Sequence, residues 1–279
     1  MLSFYSCDTS EGSNLLDQEV SVKSLRIKVD VNAIQARLDD MAQESSVADT
    51  NFGVAPKVEL IGIHSIELVA DENVKVGKGE MLYKGAEVSA GGANAIDFRE
   101  TLTTAPGEYI LEVPLSQVPN GTYEWIRLGV CFQRFTVTKY NKGNPLTATF
   151  AAFTDFNTYL EELTIRTQDV IVYDDKKQGY FAYENVSNFK EEGFASTITV
   201  PNPLSAKAPL PENSGIHTAR FDEPLVIDRV NNKDIELTLS LSTNKSFEWN
   251  DKNRNQRWDW DIDEKVVDFG FRSMVATKN

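Results

Sequence analysis

The feature that most limits the fold of this chain is a succession of short apolar runs bounded by Gly, Pro, Asn or Asp. The runs are rich in β-branched and aromatic residues, as in "KVELIGIHSIELVA", "GEYILEVPL" and "TYEWIRLGVCFQRFTVTKY". "ELTLSLS" alternates strictly, so that Leu237, Leu239 and Leu241 share one face of a strand. Many such strands at short spacing predict an all-β fold, specifically an antiparallel β-sandwich of Greek-key or prealbumin-like type with long loops.

One segment interrupts the strand pattern. In "NAIQARLDDMAQES" (Asn32–Ser45) the apolar residues Ile34, Leu38 and Met41 are spaced by four and three, which predicts one short helix.

Turn chemistry divides the rest of the chain. Pro119, Asn120 and Gly121 precede a strand that we expect to be covered on both sides, and "DDKKQG" is typical of a hairpin loop. "VPNPLSAKAPLPENSG" (Val200–Gly215) contains four of the ten prolines. We therefore predict an N-terminal tether over residues 1–19 and an elaborated sandwich over 20–279, with a possible subdivision near 150–160 or 200–215.

The charge balance limits the class of partner. With 42 acidic and 28 basic residues the formal net charge is −14. A nucleic-acid partner is not expected, because phosphate binding needs a basic face. The excess of acid is compatible with cation binding or simply with solubility. No apolar run approaches the roughly 18–20 residues of a membrane-spanning helix.

The two cysteines have different surroundings. Cys131 lies in the apolar run "LGVCFQRF" and is predicted to be a buried core thiol. Cys7 follows "LSFYS" and precedes the acidic stretch "DTSEGSNLLDQE", an arrangement that resembles the lipidation site and export signal of Bacteroidota surface lipoproteins. The alternative is an N-terminal tail in which Cys7 has no special role.

Two further stretches carry the same resemblance. "VPNGTYEWIRLGV", and "RFDEPLVI" followed by "DIELTLSLSTNKSFEWNDKN", are similar to uncharacterised extracytoplasmic β-sandwich lipoproteins of Bacteroidota. The resemblance covers about a third of the chain by rough estimate. It implies a lipid-anchored protein of the outer membrane or cell surface and implies no activity, catalytic residue or cofactor-binding motif.

The stretch "NDKNRNQRWDWDID" predicts a metal site. Asp251, Asn253 and Asn255 have the D-x-[DN]-x-[DN] spacing of a calcium loop, with the carbonyl of Arg257 and the side chain of Asp259 at the next ligand positions. The flanking runs indicate strands, so we expect a loop that joins two strands.

The loop departs from an EF-hand at two positions: Gln256 replaces the usual Gly, and Ile262 replaces the final Glu. Asp263 is our first candidate for the last carboxylate, with Asp261 and Glu264 as alternatives. The competing interpretation of the whole stretch is a polar turn whose Asn and Asp side chains cap their own backbone.

Three of the four tryptophans lie in or directly beside this stretch. Trp249, Trp258 and Trp260 could form a stacking platform for a sugar ring, or could simply cover one end of the sandwich. Of the two histidines, we expect His64 to be buried and hydrogen-bonded, on the opposite strand face from Glu67, and His217 to be exposed.

Three functions remain open. The sequence favours a non-catalytic binding or structural module of the cell envelope, with a glycan or an envelope protein as partner. A glycoside-active enzyme with paired carboxylates and a fimbrial assembly subunit are the alternatives.

Overall fold

The computed structural model describes residues 23–185, 190–231 and 233–279, and regular structure in them is almost entirely β-strand. The prediction of an all-β chain is confirmed. Within these residues there are no α-helices, only three single-turn 3-10 helices at Phe98–Glu100, Leu115–Gln117 and Trp260–Ile262.

The strands of the described residues are, in chain order, β1 (Ser24–Asn32), β2 (Asn51–Val54), β3 (Lys57–Val69), β4 (Glu80–Lys84), β5 (Glu87–Val88), β6 (Ala95–Asp97), β7 (Leu102–Thr104), β8 (Glu108–Pro114), β9 (Gly121–Asn141), β10 (Asn144–Phe153), β11 (Asn157–Thr164), β12 (Asp169–Lys177), β13 (Tyr180–Asn185), β14 (Lys190–Phe194), β15 (Ile216–Ile227), β16 (Ile235–Ser242), β17 (Phe247–Asn250), β18 (Val266–Asp268) and β19 (Met274–Lys278).

The long strand β9 organises the largest sheet. It pairs with β3 along one edge, and with β15 and then β10 along the other. The sheet runs β14-β13-β10-β9-β15-β19-β16-β1-β8, with β4 and β7 paired to β3. Two smaller sheets, β12-β11-β6-β5 and β18-β17-β2, complete the described strands.

The expectation of purely antiparallel pairing is wrong at three places. β1 pairs in parallel with β16, β15 with β19, and β6 with β11. The β1–β16 pairing joins segments about 210 residues apart, with Leu25 opposite Ile235. The alternating pattern of β16 is as predicted, since Leu237, Leu239 and Leu241 are fully buried.

The main core unites strands that lie far apart in the sheet order. Ile27 of β1 and Leu239 of β16 belong to the same buried cluster as Ile61 of β3, Phe135 of β9 and Phe150 of β10. Strands from separate parts of the large sheet therefore share one core.

A second core covers the other side of β9 and β10. Cys131, Phe132 and Phe153 pack there with Ile96 and Leu160 of the small β12-β11-β6-β5 sheet. Both faces of β9 are thus buried, as predicted, and the prediction of a buried Cys131 thiol is confirmed.

The predicted helix over Asn32–Ser45 is wrong. Ile34 is 90% exposed and Met41 is 58% exposed, so the proposed apolar face is not buried. The Asn32 side chain accepts from the backbone N–H of Ile34, and Asp39 accepts from those of Met41 and Gln43. Such local bonds replace helical ones and fold the segment into turns.

An ion-pair network holds this segment against the C-terminal strands. The Glu248 carboxylate lies 2.5 Å from the Arg37 guanidinium and 3.1 Å from that of Arg272, which also lies 3.0 Å from Asp268. All four side chains are buried. The sequence pattern used to predict a helix carries no information about this network.

Two expected connections also differ. "DDKKQG" does not close a hairpin, because β12 and β13 belong to different sheets. Residues 200–215 contain no strand, but Leu204 and Ala208 are buried against Val69 and Trp125. The subdivision near 150–160 or 200–215 stays a prediction, and the predicted tether over 1–19 lies outside the described residues.

Candidate functional site

The predicted metal loop lies between two paired strands, as expected. β17 and β18 are antiparallel neighbours, and the backbone N–H of Asn250 donates to the Lys265 carbonyl at the base of the loop. The Asp251 N–H donates to the carbonyl of Thr50. Backbone hydrogen bonds therefore fix the loop at its base and along one side.

Asp251, Asn253 and Asn255 fold the first half of the loop inward. The Asp251 carboxylate accepts from the backbone N–H groups of Asn255 at 3.0 Å and Gln256 at 2.9 Å. The side-chain amides of Asn253 and Asn255 both donate to Oδ2 of Asp259, at 2.9 and 2.5 Å. Four of the predicted ligand residues are thus brought together.

Gln256 stands where an EF-hand has Gly, and it adopts the conformation that Gly would provide. Its φ is +63°, and that of Arg254 is +57°, in the left-handed region that L-residues seldom adopt. The two N–H bonds to Asp251 hold this tight turn without a glycine.

Glu264 closes the loop. Its carboxylate accepts from the backbone N–H of Lys252 at 2.8 Å and that of Asp259 at 2.7 Å. Burial raises the pKa of Glu264, and the nearby carboxylates of Asp251 and Asp259 raise it further. These three acids therefore form one cluster, and all three are buried.

Asp263, our first candidate for the final ligand, does not belong to this cluster. Its side chain is 70% exposed and pairs with the ammonium groups of Lys252 and Lys265. The hydrogen bond from Lys265 lowers its pKa. Asp261 also turns away, since its Oδ1 accepts from the backbone N–H of Lys142.

The three acids of the loop lack basic partners. Among the described residues, no ion pair involves Asp251, Asp259 or Glu264. In the same residues no group of three or more His, Cys, Asp or Glu side chains is arranged to hold a metal ion. A metal site here would need oxygens from the two Asn amides and from the Arg257 carbonyl, which accepts from Trp249 Nε1 at 3.1 Å.

The predicted tryptophan platform is wrong for two of its three members. Trp249 and Trp258 are 2% and 3% exposed and pack around Phe247 in the main core. Trp258 Nε1 donates to the Glu264 carbonyl, which links the core to the loop. These two rings cover the end of the core, as the competing interpretation held.

Trp260 alone remains accessible, at 36% exposure. It lines a groove of about 340 Å³ together with Phe194, Glu192 and Lys265. Its ring lies 4.9 Å from the buried ammonium group of Lys139, whose pKa burial lowers. Phe194, which our sequence analysis missed, is the most exposed aromatic residue of this groove.

A separate cavity of about 370 Å³ lies beside β3 and β9. His64 and Glu67 both line it, contrary to the prediction that they lie on opposite faces. The pairing of β3 with β9 shifts register between Ile63 and Ser65, and Ile63 and Ile66 both face the main core. This bulge changes the alternation and brings His64 and Glu67 to the same side.

The polar floor of this cavity is buried. Glu67 lies 3.1 Å from Arg127, and the exposed fractions of the two residues are 3% and 2%. Asp155, at 2%, accepts from the Phe156 N–H, and burial raises its pKa to about 6. Sequence reasoning did not find Asp155, because nothing in "FTDFN" distinguishes it from a turn residue.

Both histidines are buried. His64 is buried as expected, and burial lowers its pKa. His217, predicted to be exposed, is 1% exposed, with a pKa that burial lowers to about 4. Cys7 lies outside the described residues, and within them no helix is long and apolar enough to cross a membrane.

Comparison with protein-family models, with curated proteins and with solved structures gives no match to this chain.

Proposed function

We propose that this protein is a non-catalytic binding or structural module of the cell envelope in which a calcium ion fixes the loop from Asp251 to Glu264. The observation that carries this proposal is the cluster of three buried carboxylates without a basic partner among the described residues. Buried like charges repel one another, and a bound cation would offset that repulsion.

The ligand set would combine Asp251, Asn253, Asn255, the Arg257 carbonyl, Asp259 and Glu264. Calcium takes six to eight oxygen ligands at about 2.3–2.6 Å, and this set is sufficient in number. Glu264 takes the role first given to Asp263. Its position two residues beyond that of an EF-hand glutamate is compatible with an exit into a strand.

The two amide groups lie beside the same carboxylate. Two amide nitrogens now converge on Oδ2 of Asp259. Rotation of each amide by about 180° about its last bond exchanges the positions of nitrogen and oxygen. Both amides would then present oxygen toward the acidic cluster, as calcium requires, and would give up the bonds that their oxygens now accept from the backbone N–H groups of Asn255 and Arg257.

Magnesium is a poorer fit. It demands octahedral geometry with short bonds and gives up its waters reluctantly. A loop that offers amide, carbonyl and carboxylate oxygens from one continuous segment suits the larger and more tolerant ion.

Calorimetric titration of calcium chloride into chelator-treated protein tests the proposal. We expect one ion per chain, with affinity at least about tenfold weaker in Asp251→Asn, which removes a charged ligand. Asp263→Asn is the matched control from the same loop and should bind as the wild type does. Absence of binding by the wild type, or equal weakening by both substitutions, would contradict the proposal.

The finer architecture is part of the proposal. We infer an elaborated β-sandwich, in which the β16-β1-β8 end of the large sheet packs over β3, β9 and β10. The shared core of Ile27, Leu239 and Phe135 supports this packing.

The groove beside the loop is the proposed contact surface for a glycan. Trp260 and Phe194 provide partly exposed aromatic faces, and Glu192 and Lys265 provide groups that hydrogen-bond hydroxyls. Affinity electrophoresis against a panel of bacterial and plant polysaccharides should show retardation that Trp260→Ala removes. If no polysaccharide retards the wild type, an envelope protein becomes the favoured partner.

The location of the protein is proposed from Cys7 and its flanking residues. We expect a lipid anchor at the outer membrane or cell surface. In the native host a fatty-acid probe should label the wild type and not Cys7→Ala, which should move to the soluble fraction. Equal labelling of both would contradict the anchor.

A further inference from the structure

The cavity beside β3 and β9 has the composition of a small-molecule site. Its volume of about 370 Å³ falls within the range of roughly 300–1,000 Å³ that is usual for ligand pockets. Val76, Met81, Phe156 and Ile216 contribute apolar walls. Such walls suit a compact hydrocarbon body rather than a polymer.

Two of the acids on the wall already have cationic partners. Arg127 pairs with Glu67 and donates its other terminal nitrogen to the Val74 carbonyl. Lys84 lies 2.9 Å from Glu87. Neither basic side chain is therefore available to a second anion without losing a bond.

Asp155 and Glu212 have no such partner. Among the described residues, no ion pair includes either of them. Asp155 is almost wholly buried, with a pKa of about 6, so that it is mainly a carboxylate at neutral pH. Counting Glu67, Glu87, Asp155 and Glu212 against Lys84 and Arg127, the lining carries a formal charge of −2.

His64 adds a hydrogen-bond acceptor. A bond to the carbonyl of Gly85 occupies one ring nitrogen, and burial lowers the pKa of the imidazole. Nε2 is buried without a hydrogen-bond partner in the described part of the chain. The nearest carboxylate oxygen, Oε1 of Glu87, lies 3.9 Å away. In the neutral ring this nitrogen is an acceptor.

Asp155 accepts hydrogen bonds from the backbone N–H groups of Phe156 and Gly215. The lining carboxylates that have no cationic partner, together with Nε2 of His64, thus present acceptors and no donor. We propose that this cavity binds a small organic ammonium ion, with its charged nitrogen directed to Asp155 and His64 and its apolar body against Met81 and Phe156. An ammonium group carries three donors and no acceptor, so it complements this floor. The site does not depend on the calcium loop, and the tests of the two proposals can fail separately.

A matched series of probes tests the charge preference. The probes are phenethylammonium, the neutral 2-phenylethanol and the anionic phenylacetate, titrated by calorimetry at pH 7.5. We expect the cation to bind at least about tenfold more tightly than the alcohol, because hydrogen bonds to charged groups are the stronger ones. Phenylacetate should not bind detectably.

Two variants locate the site. Asp155→Asn should reduce the preference for the cation over the alcohol to less than about threefold. Met81→Trp fills the cavity from its partly exposed wall and leaves the Asp155 carboxylate unchanged, so it should remove binding of both probes even if Asp155→Asn does not fold. Failure of the wild type to bind phenethylammonium, equal affinity for the alcohol or the anion, or unchanged binding by Met81→Trp would overturn the proposal.

Discussion

Two neighbouring clusters of buried acids solve the same electrostatic problem differently. Glu248 and Asp268 are 5% and 1% exposed, and Asp251, Asp259 and Glu264 are 7%, 5% and 4% exposed. The first cluster contains Arg37 and Arg272, so its charges are balanced by the chain itself. The second is held by backbone N–H groups and amides alone.

The difference indicates what each cluster requires. Dipoles reduce the cost of burying a carboxylate, but they do not neutralise three carboxylates that repel one another. We therefore expect the first cluster to be independent of solution conditions near neutral pH. The second should respond to cations.

The largest effect is expected in the self-balanced network. Glu248→Gln leaves Arg37 buried without its charged partner, and the free energy of unfolding should fall by about 3–5 kcal/mol. Denaturant titration measures it. The control is Glu124→Gln, which breaks an exposed pair with Arg220 and should cost less than about 1 kcal/mol. Equal costs for the two substitutions would remove the distinction between a buried network and a surface pair.

The next effect is that of calcium on the wild type. Calcium at a hundredfold excess over its Kd should stabilise the folded state by about 2.7 kcal/mol relative to a chelator. In a chain of this size that is a rise in Tm of roughly 5–8 °C, and magnesium should give less. Glu248→Gln should show the same rise from a lower starting Tm. A wild-type Tm that is identical in calcium and chelator would leave the loop an ordinary polar turn.

A smaller effect concerns pH. Because the pKa of Glu264 is raised in the folded state, its contribution to stability is fully present below its unfolded pKa and is lost as pH rises through the folded pKa. In chelator, Glu264→Gln should therefore gain stability relative to the wild type as pH rises from about 4 to 7. In calcium at pH 7 the wild type should be the more stable, since the ion requires the carboxylate. Melts of both proteins across this range would contradict the account if their difference did not change with pH.

The smallest effect is expected at Asp263. Its side chain is exposed, and Asn tolerates the left-handed conformation found there, with φ of +60°. Asp263→Asn should leave both the Tm and its rise with calcium unchanged. A lost rise would return Asp263 to the ligand set in place of Glu264.

The sequence correctly predicted the features of the fold and of the loop that depend on residues close together in the chain. Alternation located β16, and the residues after Gly121 identified a strand buried on both faces. The D-x-N-x-N spacing brought Asp251, Asn253, Asn255 and Asp259 together. These patterns depend on neighbours a few residues apart.

The sequence did not predict the features of the fold and of the site that depend on residues far apart in the chain. The Asn32–Ser45 segment has helical spacing, yet its Asn and Asp side chains cap turns and Arg37 joins a network more than 200 residues away. A bulge in β3 between Ile63 and Ser65 put His64 and Glu67 on one face. Glu264 displaced Asp263 because Asp263 adopts a left-handed conformation and its side chain pairs with Lys252 and Lys265 instead.

Metal content tests the central claim most directly. The wild type and an Asp251→Asn/Asp259→Asn variant are dialysed to equilibrium against one buffer containing millimolar calcium, and elemental analysis measures the calcium bound in excess of that buffer. The account predicts one calcium per chain in the wild type and far less than one in the variant. A wild-type chain that carries no calcium, or a variant that carries as much as the wild type, would contradict it.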